Sequence, residues 1–199
     1  GSAIAQSYNH MIMPLASDQD KKTQILWGIY DFQYHFKRTP EGMWLPETAV
    51  DLKTLDLMAE AGIQFTILAP YQAKRIKKIQ DSEWQTPSAD FFLNDPYLCR
   101  LPSGRSIALF FYNGNISWKI SFSDLLANGQ NLANCLLGDF KNREESQLAS
   151  IATDGETFGH HKKFGDMALA SCFRGLQKGK HEITNFARYL KEHPPQYEA

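Results

Sequence analysis

The sequence is short of cysteine, of net charge and of long apolar runs, and each shortage removes a class of protein. Its three cysteines, Cys99, Cys135 and Cys172, are odd in number, widely spaced and without a Cys-x-x-Cys pair. They fit buried free thiols in a reducing compartment better than a disulfide framework, so a cytoplasmic location is expected. A formal net charge of −1 argues against nucleic acid or an anionic membrane surface as the main partner. No stretch is long and apolar enough to span a bilayer, and the first residues lack the basic-then-apolar pattern of a secretory leader. Also missing are Gly-x-Ser-x-Gly, a Walker sequence and Gly-x-Gly-x-x-Gly, which removes the commonest serine-hydrolase, nucleotide and dinucleotide readings. There is no internal repeat and no low-complexity linker.

What is present suits a globular α/β protein. Apolar residues make up 43% of the 199 and aromatics 13%, enough for a sizeable core. The basic cluster Lys74, Arg75, Lys77 and Lys78 reads as the solvated face of a short helix. A first strand is expected within 4–13, ending near Pro14. Ser17 and Asp20 are suited to cap a helix in which Ile25, Ile29, Phe32 and Phe36 recur at helical spacing. A short strand is expected at 43–45. Thr48, with Asp51 three residues on, then opens a helix with Leu52, Leu55 and Met58 on one side, stopped by Gly62. Residues 63–69 read as a fully buried strand and 70–79 as a helix. A hairpin at 97–101 and 106–112 turns through Pro102-Ser103-Gly104-Arg105. Helix is expected at 117–140 with a break at Asn128-Gly129, a strand at 148–153, and helices at 166–176 and 183–190. Alternating strands and helices interrupted by one hairpin favour an α/β barrel or an open sheet.

Two carboxylates carry the chemistry. Each follows a short apolar run, where a barrel strand would reach the mouth at its C-terminal end. Glu47 comes after Trp44-Leu45-Pro46. The proline fixes the local backbone and restricts Leu45, and Trp44 offers a face on which a sugar ring can stack. The same acid would also suit the first turn of a helix. Asp154 comes after Ile151-Ala152-Thr153 and opens a turn bracketed by Gly155 and Gly159. At the end of a buried strand it would be partly desolvated, which raises a carboxyl pKa and suits a general acid. An ordinary Asp-Gly turn is the alternative, and Glu156 is an equal claimant by spacing. Two acids from different strands suit glycoside cleavage. His10, His160 and His161 invite a metal reading, but adjacent histidines seldom reach one ion and no His-x-His or His-x-x-x-His pair supports them. His10 and His160 are instead candidates for substrate contact, with Trp44 and Glu156, and a satisfied core histidine is an equal reading of His10. Cys172, in an apolar helical stretch, reads as core.

At these residues the chain resembles glycoside hydrolase family 57, and more closely an uncharacterised branch related to it. The segment from Tyr8-Asn9-His10 to Pro14-Leu15 resembles that family's motif around a histidine and a proline. The segment 41–51 resembles the motif holding the catalytic nucleophile, which would be Glu47. The segment 152–159 resembles the motif holding the general acid/base, which would be Asp154. Leu101-Pro102-Ser103-Gly104-Arg105, Phe110-Phe111-Tyr112, the segment 165–170, Thr184-Asn185-Phe186 and His193-Pro194-Pro195 point to the closer branch.

The resemblance implies a segment of an irregular (β/α)7 TIM-like barrel with one hairpin insertion. It implies retaining hydrolysis or transglycosylation of α-glucan-type carbohydrates, with no cofactor and no metal, and an oligo- or polysaccharide as the partner. Two alternatives are a metal-dependent carbohydrate deacetylase, which shares a related barrel, and a non-catalytic glucan-binding module. Residues 1–199 are expected to form a single catalytic-domain segment without the first barrel strand, whose His-x-His motif has no counterpart here, and without C-terminal parts.

Overall fold

The computed structural model describes residues 2–87, 93–179 and 181–199. The chain divides into two compact units. The first comprises Gly1–Phe91, Asp95–Phe111 and Phe186–Ala199, and the second is chiefly Tyr112–Asn185.

The first unit is an arc of parallel strands with helical crossovers. It contains β1 (Ala5–Gln6), α1 (Asp18–Phe36), β2 (Met43–Trp44), α2 (Leu52–Glu60), β3 (Phe65–Leu68), β4 (Lys77–Lys78), β5 (Tyr97–Arg100) and β6 (Ser106–Phe111). β1 pairs in parallel with β2, a parallel bridge between Gly42 and Phe65 carries the order on to β3, and β3 pairs in parallel with β6. Parallel neighbours need crossovers, and α1 and α2 supply the first two. All four residues of β3 are buried, as expected of a strand covered on both faces. The hairpin then adds β5 antiparallel to β6. After α6 (Phe186–Glu192) the last strand, β7 (Tyr197–Glu198), lies between β5 and β4.

Local chemistry sets these elements. Ser17 accepts the Asp20 N–H at 3.2 Å and starts α1. Ile25, Ile29 and Phe32 turn inward, whereas Phe36, at the last position, is half-exposed. α1 lies hard against β1, because a Cβ on Gly28 would stand 1.9 Å from the Gln6 carbonyl oxygen. Phe65, Phe110, Phe111 and Tyr97 fill the centre. The Phe65–Phe110 and Tyr97–Phe111 rings meet edge-on at 5.5 and 5.4 Å, a geometry that adds about 0.5–1.5 kcal/mol per pair beyond area burial. Arg105, in the β5–β6 turn, grips Asp56 of α2 through Nε at 3.0 Å and Nη2 at 2.8 Å.

Two expected elements of this unit differ. Thr48 does not open α2. Asp51 is its N-cap and accepts the Thr54 N–H at 2.7 Å, and Leu52 at the first position is exposed. The expected helix at 70–79 is a single 3₁₀ turn, Pro70–Gln72, followed by β4. Tertiary pairing overrides helical propensity there. Lys77 and Lys78 are in register with Glu198 and Tyr197, and buried Glu198 takes Arg100 at 2.5 Å and Lys77 at 3.3 Å. The basic cluster is thus not a helix face: Arg75 lies 4.2 Å over the Trp84 ring, and Lys77 faces an acid.

The second unit is helical. It contains α3 (Gly114–Phe122), α4 (Gly129–Leu137) and α5 (Gly165–Lys178), around a core of Ile116, Ile120, Leu126, Leu132, Ala133, Ala168 and Cys172. Asn128 caps α4 through the Gln130 N–H at 2.7 Å, which is the expected break. Gly129 sits where a Cβ would meet the Ala168 carbonyl at 2.5 Å, so α4 and α5 approach to backbone contact. The expected strand at 148–153 is absent, and the segment has no regular secondary structure. Its polar groups go elsewhere: Leu148 N–H to the Asn94 carbonyl at 2.9 Å, Asn113 N–H to the Ser150 carbonyl at 2.8 Å, and Ala152 N–H to Ser117 Oγ at 3.1 Å.

Candidate active site

In the first unit the C-terminal ends of β1, β2 and β3 lie on one edge of the parallel arc, and the loops after them carry His10, Glu47 and Gln72. β2 puts Met43 and Leu45 in the core and leaves Trp44 half-buried. Leu45 is extended (φ −105°, ψ 138°), as a residue before proline must be. The chain then turns left-handed at two successive non-glycine residues, Glu47 (φ 56°) and Thr48 (φ 52°). Such a conformation costs about 1–2 kcal/mol per residue and is a true outlier for a β-branched residue. Thr48 is buried. Its N–H donates to the Leu45 carbonyl at 3.0 Å and its carbonyl accepts Gln72 Nε2 at 2.7 Å.

The turn throws the Glu47 carboxylate outward, where its Oε1 lies 3.1 Å from His10 Nε2. The two side chains are 69% and 72% exposed, so the pair is open to an incoming ligand. His10 is held from behind: Asn9 N–H donates to Gln24 Oε1 at 2.6 Å, and Ser7 Oγ donates to the Asn9 carbonyl at 3.0 Å. On the far side of the turn, Asp51 accepts Lys21 Nζ at 2.7 Å, and Lys21 is buried. Burial pushes the Asp51 carboxyl upward. The hydrogen bonds from Lys21 and Thr54, with the Lys21 charge, outweigh that and hold it below the usual carboxylate value.

In the second unit Asp154 stands, exposed, at the head of a 3₁₀ turn, Gly155–Thr157. It does not end a buried strand, which corrects the expectation from sequence. The cause is that Ser117 and Asn113 satisfy the preceding backbone in place of a partner strand. Nor is it an ordinary capping aspartate, since its side chain makes no capping hydrogen bond. Ile151 and Phe158 pack against the core on either side of it, and Asn113 and Asn94 both donate to Asp139, at 2.6 and 2.9 Å. Glu156 is engaged differently: its Oε1 lies 3.0 Å from His161 Nε2, and its carbonyl accepts the His160 and His161 N–H groups at 3.1 Å. His160 is exposed, its ring 4.9 Å from that of His161.

The first unit therefore brings His10 to Glu47, and the second brings His161 to Glu156 and to His160, with Asp154 two residues before Glu156 in the chain. Among the described residues no group of three His, Cys, Asp or Glu side chains is arranged to hold a metal ion. Burial pushes the Cys99 and Cys172 thiols upward, which leaves them poor nucleophiles at neutral pH. None of the three cysteines is in a disulfide, and no helix of the described residues is long and apolar enough to cross a membrane. Sequence reasoning missed Lys21, Gln24, Gln72 and the Asn94–Asn113–Asp139 cluster. Lys21 had a legible signal, because it extends the Ile25, Ile29, Phe32 stripe back by one turn.

Parallel strands joined by helical crossovers, with polar residues gathered past their C-terminal ends, mark an α/β protein of the barrel or open-sheet class. Comparison with known proteins gives the family: the profile of glycosyl hydrolase family 57 matches residues 2–199, and the chain belongs to that family. It is 27% identical over 161 residues to alpha-amylase 1 of Dictyoglomus thermophilum, covering 78% of this chain and 20% of the amylase. It is similar in fold to the 4-alpha-glucanotransferase of Thermococcus litoralis (TM-score 0.69, 18% identity, 96% of this chain and 27% of that one). It is likewise similar to the GH57-type branching enzyme of Pyrococcus horikoshii (TM-score 0.75, 15% identity, 96% and 44%). The fold is thus a segment of the irregular (β/α)7 barrel type, and the chain spans a fifth of the length of the amylase it matches.

Proposed function

We propose that residues 1–199 are part of the catalytic domain of a retaining glycosidase or transglycosylase acting on α-glucan-type carbohydrates. Glu47 Oε1 or Oε2 attacks the anomeric carbon while Asp154 gives its proton to the departing glycosidic oxygen. The glycosyl–Glu47 ester forms as that bond breaks. Asp154, now ionised, takes a proton from water or from a sugar hydroxyl, which attacks the same carbon and releases Glu47. One observation carries this reading: neither acid performs the structural task its position suggests. Asp51, not Glu47, caps α2, and the Asp154 side chain makes no capping hydrogen bond to the turn it heads. Two successive left-handed residues displaying a carboxylate are the kind of outlier found at functional sites.

His10, through its bond to Glu47, orients the nucleophile and meets the sugar. Trp44 supplies a stacking face, and Glu156 and His160 reach substrate hydroxyls. The relatives' activities (amylase, 4-alpha-glucanotransferase, branching enzyme) all concern α-glucans, which supports that substrate class. The uncombined thiols fit a reducing cytoplasm. Product analysis by chromatography and NMR on a panel of α-glucans and α-galactosides tests the proposal. Turnover of an α-glucan with net retention, lost in Glu47→Gln, is the expected result. Binding without turnover, unaffected by Glu47→Gln, would replace it with a non-catalytic glucan-binding module.

A further inference from the structure

The left-handed turn at Glu47 and Thr48 needs something to hold it, and the first unit supplies one side chain that does so. Gln72 closes the 3₁₀ turn just after β3. Its carboxamide works on both ends: Oε1 accepts the Ala69 N–H at 2.8 Å, and Nε2 donates to the Thr48 carbonyl at 2.7 Å. Only one orientation of the amide satisfies both partners, because a flip would set NH₂ against N–H and oxygen against oxygen. The backbone at the end of β3 therefore fixes the amide, and the amide fixes the carbonyl immediately after Glu47. The other bonds of the turn, Thr48 N–H to Leu45 and Ala49 N–H to Pro46, are internal to it.

We infer that Gln72 is a positioning residue for Glu47: it ties the turn that aims the nucleophile to the end of the neighbouring strand. The inference rests on the assignment of Glu47 as nucleophile. Without the Gln72 donor, the buried Thr48 carbonyl loses its partner, and the turn relaxes toward right-handed or extended backbone with Glu47 re-aimed. A displacement of about 1 Å at a reacting group costs on the order of 10²-fold in rate.

The test uses two near-isosteric variants of the full-length protein. Gln72→Met fills the volume without donating. Gln72→Glu keeps the acceptor for Ala69 and, when ionised, offers no donor to Thr48. Backbone chemical shifts of Glu47 and Thr48 read the turn, and kcat and KM on the panel substrate that the wild type turns over read the chemistry. Both variants should move the shifts out of the left-handed range and lower kcat about 10²-fold, with KM changed less than about threefold. Unchanged shifts in either variant, or a kcat within about threefold of wild type with the turn displaced, would overturn the inference. If the wild type turns over no panel substrate, the glycosidase reading fails instead, and the shifts alone still decide whether Gln72 holds the turn.

Discussion

Glu47 and Asp154 are supported by opposite means. Glu47 follows a strand paired in a parallel arc, and its turn is fixed by backbone bonds, by Gln72 and by the Asp51–Lys21 pair. Asp154 follows a segment with no ladder, held by Ser117 and Asn113, with Asn94 and Asp139 behind them. A ladder is made of backbone bonds that a side-chain substitution does not remove, whereas a side-chain scaffold depends on a few particular groups. The second region should therefore fail residue by residue, and the first mainly where a charge is buried.

The largest effect should come from the nucleophile. Glu47→Ala should lower kcat by about 10⁴-fold or more with the melting temperature little changed, since the side chain is exposed and alanine keeps the Cβ that strains the turn. Asp154→Ala should cost about 10²–10⁴-fold on substrates with poor leaving groups and far less on activated aryl glycosides. Equal losses on both would shift the acid role to Glu156 and its partner His161.

Next is the buried charge. Asp51→Ala should destabilise the first unit by about 3 kcal/mol in urea unfolding, near the low end for breaking a buried pair because Asp51 is itself partly solvated. Its pH dependence has a definite sign. Asp51 is held below its unfolded value, so the unfolded state binds more protons in the window between the two. Its contribution is full above about pH 4 and is lost as the pH falls through the folded value. Unfolding midpoints measured from pH 7 to 3 should fall more steeply in wild type than in Asp51→Asn. An unchanged acid limb would show that the pair is not what holds the Glu47 turn's far side.

Smaller again, Asp139→Ala takes the acceptor from Asn113 Nδ2 and leaves Asn94 Nδ2 with the Leu148 carbonyl at 3.3 Å, and should cost about 1–3 kcal/mol. Ser117→Ala, which removes the acceptor of the Ala152 N–H and the donor to the Asn113 carbonyl, should cost about 1 kcal/mol. Hydrogen exchange should show both losses concentrated at 148–158. Protection that falls equally across β1 to β3 would break the contrast between the two supports.

The same contrast explains what was legible in the sequence. Local signals translated directly: the Ser17 cap, the Asn128 break, the Pro102–Arg105 turn and the buried run of β3 each stand where the residues placed them. Elements whose identity depends on a distant partner did not. Residues 70–79 read as helix because the strand that recruits Lys77 and Lys78 lies about 120 positions on, at Tyr197–Glu198. Residues 148–153 read as strand because an extended apolar run looks the same whether a strand or the side chains of Ser117 and Asn113 satisfy it. The motifs located Glu47 and Asp154, but neither the left-handed turn nor the grip of Gln72 has a local signature.

The central claim is that the strained turn displays the nucleophile, and covalent trapping addresses it most directly. With a 5-fluoro-α-glucosyl fluoride, Glu47 forms the bond to the anomeric carbon as fluoride leaves, and the second step is slowed enough for the ester to accumulate. Peptide mapping by mass spectrometry should place the added sugar on Glu47. A sugar found on any other carboxylate, Glu156 included, would contradict the account.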